Sequence, residues 1–513
     1  MSARTITIIG ITILIALSVI ILANSMTKEL GRDEHMYCTG GVLLAQGKVI
    51  YRDFSYPSQL PYHPMLYAVL FKTLNTTRYL LVGRCVSVLA DVLVMLCIAA
   101  VFVRAFGKLR IWGALLGLCA AVLYVYNPAV DYANGYAWNN DVVILCVALA
   151  FLLFTRIEAD QKADFGRVAL IGALLSLATF MRMTTAAAQL LFMAALLSLP
   201  AATVRERLTT IVPFLLATAV VSVYPVLIAA RAPEAFFINI FRIHILNSEW
   251  LRGIGIVHDK LGLALTYLTF PGYLLLFAVA GYLVVALVLL RGKLKVSNAR
   301  SALLAGLLAA TFLAIALSLP TIWRQYLAPP VPFLILGFAY PLASLAQLAN
   351  KKTGAGLAKA GAALMSLAAL VAFGAGLNIT ARIPAVFKPG TWVPMQVHAV
   401  AADIANRTKE PKLVLTTAPL FALEGGCEIY TEFSAGVFAY RIDDLMTQEQ
   451  RRITRTAGPQ MLPELVKKSP PSAIIVGVEP EYFSHLEEPF ETLPGADWRR
   501  EVYENGLRVY FRP

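Results

Sequence analysis

Long apolar runs separated by short charged connections dominate the first 380 residues, and a spanning helix needs about 20 mainly apolar residues. Eleven segments meet or approach that requirement: 5–23, 79–103, 111–126, 141–155, 168–180, 185–199, 209–230, 263–290, 302–319, 326–349 and 358–379. The pattern predicts a helix for each. Met181-Arg182-Met183-Thr184 divides two short runs, 168–180 and 185–199, which read as a tight hairpin. The first run follows Arg4 as a signal peptide would, but it exceeds the usual ~7–15 apolar residues, and Leu22-Ala23-Asn24-Ser25 is a poor cleavage site. It reads as helix one.

Beyond residue 380 the pattern changes to that of a soluble domain. Apolar residues at three- and four-residue intervals predict a helix over 395–407, and short β-rich runs predict strands over 413–417, 428–433 and 473–478. Residues 500–511 read as a hairpin around Asn505-Gly506, a pair suited to a type I′ turn. The chain therefore divides into a helical membrane domain, 1–380, and a small α/β domain, 381–513. The tail has no glycine-rich phosphate loop, nucleophile elbow or metal-ligand spacing, so the chemistry is not expected there.

Composition removes the soluble alternatives. The 513 residues are 58% hydrophobic and 15% charged, against roughly 45–50% and about 25% in soluble domains. Six cysteines without a CxxC pair argue against a disulfide scaffold and a zinc module. The net charge is +13, yet the tail is nearly neutral, so the excess lies in the membrane part. It sits in alternate short loops: Arg104, Lys108 and Arg110; Arg156, Lys162 and Arg167; Arg205 and Arg207; Arg291, Lys293, Lys295 and Arg300; Lys351, Lys352 and Lys359. That bias marks cytoplasmic loops rather than a nucleic-acid surface. The N-terminus is then inside, while the tail and loops 24–78, 127–140, 231–262 and 320–325 lie outside. Trp138, Trp250 and Trp323 all fall in the outer loops.

Two outer loops are long. Segment 24–78 carries Pro57, Pro61 and Pro64 among aromatics, and 231–262 mixes Phe236, Phe237 and Phe241 with charges. Both read as amphipathic surface segments, and ordered loops of this length usually build a site. Asp33-Glu34 stands just after helix one, either as a solvated loop start or as a carboxylate able to accept a proton from a hydroxyl nucleophile. Asp141 follows Asn139-Asn140 and reads equally as a second site acid or as a charge at a helix N-terminus. Arg182, Arg242, His244 and Arg324 are outer cations that could converge on a phosphate, whose oxygens suit the guanidinium fork. Arg84 and Asp91 read as a self-neutralising pair inside the bundle.

These residues carry a family resemblance. The first outer loop reads Asp33-Glu34-His35-Met36-Tyr37, then Leu44-Ala45-Gln46-Gly47-Lys48-Val49-Ile50-Tyr51-Arg52-Asp53-Phe54, then Gln59-Leu60-Pro61-Tyr62-His63-Pro64. Later come Phe237-Ile238-Asn239 leading to His244, and Trp323-Arg324-Gln325-Tyr326-Leu327-Ala328-Pro329-Pro330-Val331-Pro332. The set resembles the GT-C membrane glycosyltransferases that use polyprenyl-phosphate sugars. It is similar in particular to aminoarabinose and lipopolysaccharide-core galacturonosyl transferases and to protein O-mannosyltransferases.

The resemblance implies a GT-C fold of about eleven spans in a bacterial inner membrane, with inverting sugar transfer from a polyprenyl-phosphate donor. The acceptor would be a glycan, a glycolipid such as lipid A, or a protein. It implies Asp33 as base, with Glu34 and Asp141 orienting the acceptor. Arg182, His244, Arg324 and Tyr326 would hold the donor phosphate, and Tyr62 and His63 would line the substrate site. The resemblance fixes no cofactor and leaves a divalent cation open, which, if bound, would take Asp33, Asp141 and His244. Tyr430 and Phe433, within 422–436, are expected to stack on a sugar, with that segment packed toward the first outer loop. The rival readings are a transporter or flippase, which would place its ionisable groups near the bilayer midplane, and a scaffold displaying the tail.

Overall fold

The computed structural model describes residues 3–160, 163–256, 259–269, 271–290, 296, 298–319, 321–350 and 355–513. Lys162, Arg291, Lys293, Lys295, Lys351 and Lys352 lie outside the described residues. Helices follow the apolar runs: α1 (Ala3–Thr27), α2 (Arg32–Ala45), α3 (Tyr62–Leu74), α4 (Tyr79–Phe106), α5 (Arg110–Val125), α6 (Pro128–Ala133), α7 (Asn140–Asp160), α8 (Phe165–Thr179), α9 (Ala186–Leu197) and α10 (Val204–Arg231). They continue with α11 (Pro233–Phe237), α12 (Ile243–Gly253), α13 (Lys260–Leu268), α14 (Tyr273–Leu289), α15 (Ala299–Ser318), α16 (Pro330–Asn350), α17 (Ala355–Ala375) and α18 (Leu377–Thr380).

The expected eleven spans sort into three kinds. Among the described residues seven helices are long and apolar enough to cross a membrane, and α13 with α14, which diverge by 71°, would make an eighth. The other three, α5, α8 and the stretch Met183–Leu197, are shorter. At 1.5 Å per residue, the 15 residues of α8 fall short of the roughly 30 Å hydrocarbon core. The α8–α9 break is real: Arg182 is extended (φ −148°, ψ 108°) and Met183–Thr185 forms one 3₁₀ turn.

The loops assigned to one side come together on one side. Arg104 and Arg167 both reach Asp160, and Arg300 lies 3.9 Å from Glu158 while donating to the Ser198 carbonyl at 3.0 Å. The outer-loop set gathers at the other end of the bundle. There Asn239 ties the two long loops, accepting from Ser55 Oγ (2.7 Å) and the Tyr56 amide (3.0 Å) and offering its own carbonyl to the Ser58 amide.

Helix α2 departs from the expected half-wet surface helix. Every residue from Glu34 to Leu43 is buried, because α3, α4 and the tail's Pro419–Glu424 helix all pack against it. A Cβ at Gly40 or Gly41 would stand 2.6 Å from Tyr56 or Tyr67, so only glycine permits this approach. The tail enters through α19 (Val393–Arg407) and α20 (Pro419–Glu424); Phe421 meets the His35 ring at 5.9 Å, and Glu424 accepts from the Leu80 amide at 2.7 Å.

The tail sheet has β1 (Leu413–Thr416), β2 (Glu428–Ile429), β3 (Ala473–Val476), β4 (Arg499–Val502) and β5 (Arg508–Phe511), in the order β2-β1-β3-β5-β4. β2 and β3 run parallel to β1, and β5 is antiparallel to β3 and β4, pairing Ile474 with Tyr510 and Arg500 with Tyr510. The predicted 428–433 strand stops at Ile429, since Thr431–Phe433 coils into a 3₁₀ turn. The hairpin forms, but with only Gly506 at positive φ (84°) and a Gly506 amide bond to the Tyr503 carbonyl. That is a longer loop than a two-residue type I′ turn, which requires positive φ at both positions.

Candidate active site

The sequence Gly31-Arg32-Asp33-Glu34 starts α2 with a capping interaction: the Glu34 carboxylate reaches back to the Gly31 amide at 2.7 Å. Glu34 also accepts from the Ala137 amide (2.6 Å) and from Arg84 (2.8 and 2.9 Å). These bonds hold the first turn of α2 rigidly. Asp33, one residue earlier, is turned by about 100° around the helix axis and borders a cavity of about 310 Å³.

That cavity lies between the outer loops and the tail. Arg32, Gln59, His244, Trp323, Tyr326 and Arg441 all line it. Burial pushes the Asp33 carboxyl up to about 6, against the pull of Arg32 and Arg441 and with a small push from Glu34. A carboxyl in that range is ionised at neutral pH yet basic enough to take a proton. Burial lowers His244, so its imidazole is neutral at pH 7 and offers a hydrogen bond rather than a charge.

Tyr326 also borders a narrow apolar slot running between α7 and α15, lined by Val143, Ile144, Phe312 and Ile315. Arg182 stands in this slot with its guanidinium 5.2 Å from the Tyr326 ring centre and its Nη1 bonded to Asn140 Oδ1 at 2.9 Å. The preceding Asn139 donates to Gln59 Oε1 (2.8 Å) and to the Met181 carbonyl (2.9 Å). The Asn139-Asn140 pair thus places both the Arg182 loop and the Gln59 wall.

Of the residues singled out in the sequence, Asp33, His244 and Tyr326 meet at the cavity and Arg182 at the adjoining slot. The others go elsewhere. Glu34 is consumed by Arg84 and two amides. Asp141 is buried in the bundle, where it accepts from the Gly135 amide at 2.8 Å. Asp33, Asp141 and His244 do not form a ligand cluster, and among the described residues no group of three or more His, Cys, Asp or Glu side chains could hold a metal ion. Arg324 is exposed and stands 5.8 Å from the Tyr132 ring, outside the lining of both the cavity and the slot. His63 is fully buried between Tyr37 and Tyr67 (5.0 and 4.3 Å between ring centres), and Tyr62 stacks on Tyr224. Tyr430 and Phe433 sit in the tail's own core, Phe433 against Tyr440 and Phe490. The segment 422–436 meets the first outer loop through a Ser434 Oγ bond to the Ser55 carbonyl, while its Glu424 accepts from the Leu80 amide at the start of α4. Arg84 pairs with Glu34 rather than Asp91, whose carboxylate accepts instead from Tyr124 and Asn134.

Sequence reasoning missed the tail's contribution. Phe438, Arg441 and Tyr482 form one wall of the cavity. A signal was present, for Arg441 is the single charge in the apolar run Ala435-Gly436-Val437-Phe438-Ala439-Tyr440-Arg441-Ile442. Gln59 stood inside the quoted Gln59-Leu60-Pro61-Tyr62-His63-Pro64 stretch, but its neighbours drew the assignment.

No protein-family model matches the chain, and no curated protein matches it. Solved structures do. ArnT from Cupriavidus metallidurans bound to undecaprenyl phosphate is similar at 15% identity over 99% of this chain and 98% of that one, with a TM-score of 0.64. Its apo state gives 0.62 at the same identity and coverage. The Archaeoglobus fulgidus oligosaccharyltransferase tethered with an acceptor peptide is similar at 12% identity over 98% of this chain and 74% of that one, with a TM-score of 0.51. The chain has the GT-C fold: a polytopic helical membrane domain followed by a small α/β domain.

Proposed function

We propose that this protein is an inverting glycosyltransferase that moves a sugar from a polyprenyl-phosphate donor to a cell-envelope acceptor. The observation that carries this reading is the position of Asp33, a carboxyl raised to about 6 at a cavity that Tyr326 joins to an apolar slot headed by Arg182. In this reading the donor phosphate lies at Arg182 and Tyr326, its sugar in the cavity, and its lipid chain leaves past the narrow slot into the bilayer. The bound undecaprenyl phosphate of the ArnT structure supports the same class of donor.

In this mechanism Asp33 accepts the proton of the acceptor hydroxyl as the oxygen attacks the anomeric carbon from the face opposite the phosphate. The bond from that carbon to the phosphate oxygen breaks, and its electron pair leaves on the lipid phosphate. In this reading the Arg182 guanidinium meets the growing charge, an interaction worth most where water is excluded. His244, neutral at pH 7, is placed to orient the acceptor by a hydrogen bond. No step requires a metal ligand set. The Lys/Arg-rich loops support a cytoplasmic position for the opposite end of the bundle, and with it transfer at the outer face of the inner membrane, on lipopolysaccharide, cell-wall glycan or protein.

The test is transfer itself. Full-length protein in nanodiscs is given a panel of labelled undecaprenyl-phosphate sugars and envelope acceptors. Labelled acceptor and free undecaprenyl phosphate are expected in equal amounts. Movement of the intact lipid-sugar across the bilayer without cleavage would establish the flippase reading instead.

A further inference from the structure

The tail wall of the cavity holds a buried cation that makes no direct ion pair among the described residues. Arg441 is 5% exposed and lines the cavity, and among the described residues it forms no ion pair. Its Nη2 donates to Asn247 Oδ1, and its guanidinium lies 5.1 Å from the Trp250 ring and 4.9 Å from the Phe438 ring. These contacts fix the group in place but neutralise nothing, and Nε stays buried without a hydrogen-bond partner. Arg32 lines the same part of the cavity, and its Nε is also buried without a partner. The carboxylates nearby are committed. Glu479 pairs with Arg32, and Asp33 is the base of the proposed reaction.

A buried guanidinium beside a second one is costly unless an anion completes it. The cost shows in Arg441 itself, which burial and Arg32 push down to about 10 against the partial pull of Glu479 and Asp33. The donor phosphate does not meet this need. Arg182 heads the apolar slot and is absent from the cavity lining, whereas Arg32 and Arg441 line the cavity and are absent from the slot. The two cationic ends are separate, and in-line displacement places the leaving phosphate at one end and the incoming acceptor at the other.

We infer that Arg441 and Arg32 form a second anion subsite, which recognises a carboxylate or phosphate carried by the acceptor or by the transferred sugar, distinct from the donor's own phosphate. The inference rests on the proposed glycosyl transfer for the identity of the ligands, and on the geometry of Arg441 for the charge. It gives the tail a direct part in substrate choice. Tyr482, 66% exposed on the same wall, supplies an aromatic face beside the subsite.

Binding to full-length protein in nanodiscs tests this. The donor arm compares undecaprenyl phospho-glucuronate with undecaprenyl phospho-glucose; the acceptor arm compares galacturonate and glucose 6-phosphate with galactose and glucose. An acidic ligand should bind about tenfold more tightly than its neutral partner in one arm, and that arm names the source of the charge. Arg441→Gln should abolish the preference and Arg441→Lys should restore part of it, while the Kd for undecaprenyl phosphate stays within about twofold. Absence of any acidic preference in the wild-type protein, or equal weakening of undecaprenyl phosphate by Arg441→Gln, would overturn the inference. Failure of the wild-type protein to bind undecaprenyl phosphate would instead overturn the proposed function, whatever the acidic preference.

Discussion

Arg84 and Glu34 form an ion pair that no solvent reaches, with Nη2–Oε2 at 2.8 Å and Nε–Oε1 at 2.9 Å. The same guanidinium donates to the carbonyls of Ser25 (2.7 Å), Lys28 (2.8 Å) and Glu29 (2.9 Å). One arginine on α4 therefore joins the end of α1 to the start of α2, and so fixes the turn from which Asp33 projects.

Removing either partner leaves the other charge buried and alone, at a cost of about 3–5 kcal/mol. Glu34→Gln and Arg84→Met are expected to lower the melting temperature of the detergent-solubilised protein well below that of Asp33→Asn. A Glu34→Gln protein that melts like wild type but has lost turnover would return Glu34 to the chemistry.

Asp33→Asn retains size and most hydrogen bonding but cannot accept the proton. Turnover should fall by roughly 10²–10⁴, and undiminished turnover would remove Asp33 as base. In the wild-type protein the active form is the carboxylate, so kcat/KM should rise with pH and level off above a midpoint near 6.

The stability of the same carboxyl has the opposite sign. Asp33 keeps its proton to about 6 in the folded protein and to about 3.9 in the unfolded chain. The folded state thus binds more protons in that window, and stability declines as pH rises through it. Asp33→Asn should therefore melt above wild type at pH 7.5, with the gap closing at pH 4.

Arg182 and Arg324 are similar in sequence context but not in place. Arg182→Lys loses the planar fork at the slot and should weaken undecaprenyl phosphate binding about tenfold. Arg324→Lys, exposed over Tyr132 and outside both linings, should change it by no more than about twofold. Equal losses in titrations of the two variants would place Arg324 at the phosphate.

Phe433 belongs to the tail's core rather than to a sugar platform. Phe433→Ala should cost about 3–5 kcal/mol of local stability, read as faster proteolysis of the tail. Donor-lipid affinity should persist in the intact fraction.

The sequence by itself determined most of the helices, and it carries the charge bias from which a sidedness is expected. Both are local properties: twenty apolar residues specify a span wherever they occur, and each Lys/Arg-rich loop is biased by its own charges. It also singled out Asp33 and Arg182, which stand beside the ends of apolar runs, and Tyr326 through the family resemblance. Only the tertiary structure decided which charges are free to act. Asp33 and Glu34 are neighbours in the chain, yet their positions on the helix send one to a cavity and the other to Arg84, fifty residues away. Arg441 comes from a tail that composition alone described as an ordinary soluble domain, and it reaches Arg32 and Asp33 only because α20 packs on α2. Burial, pairing and cavity shape depend on contacts between distant segments, and no local pattern encodes them.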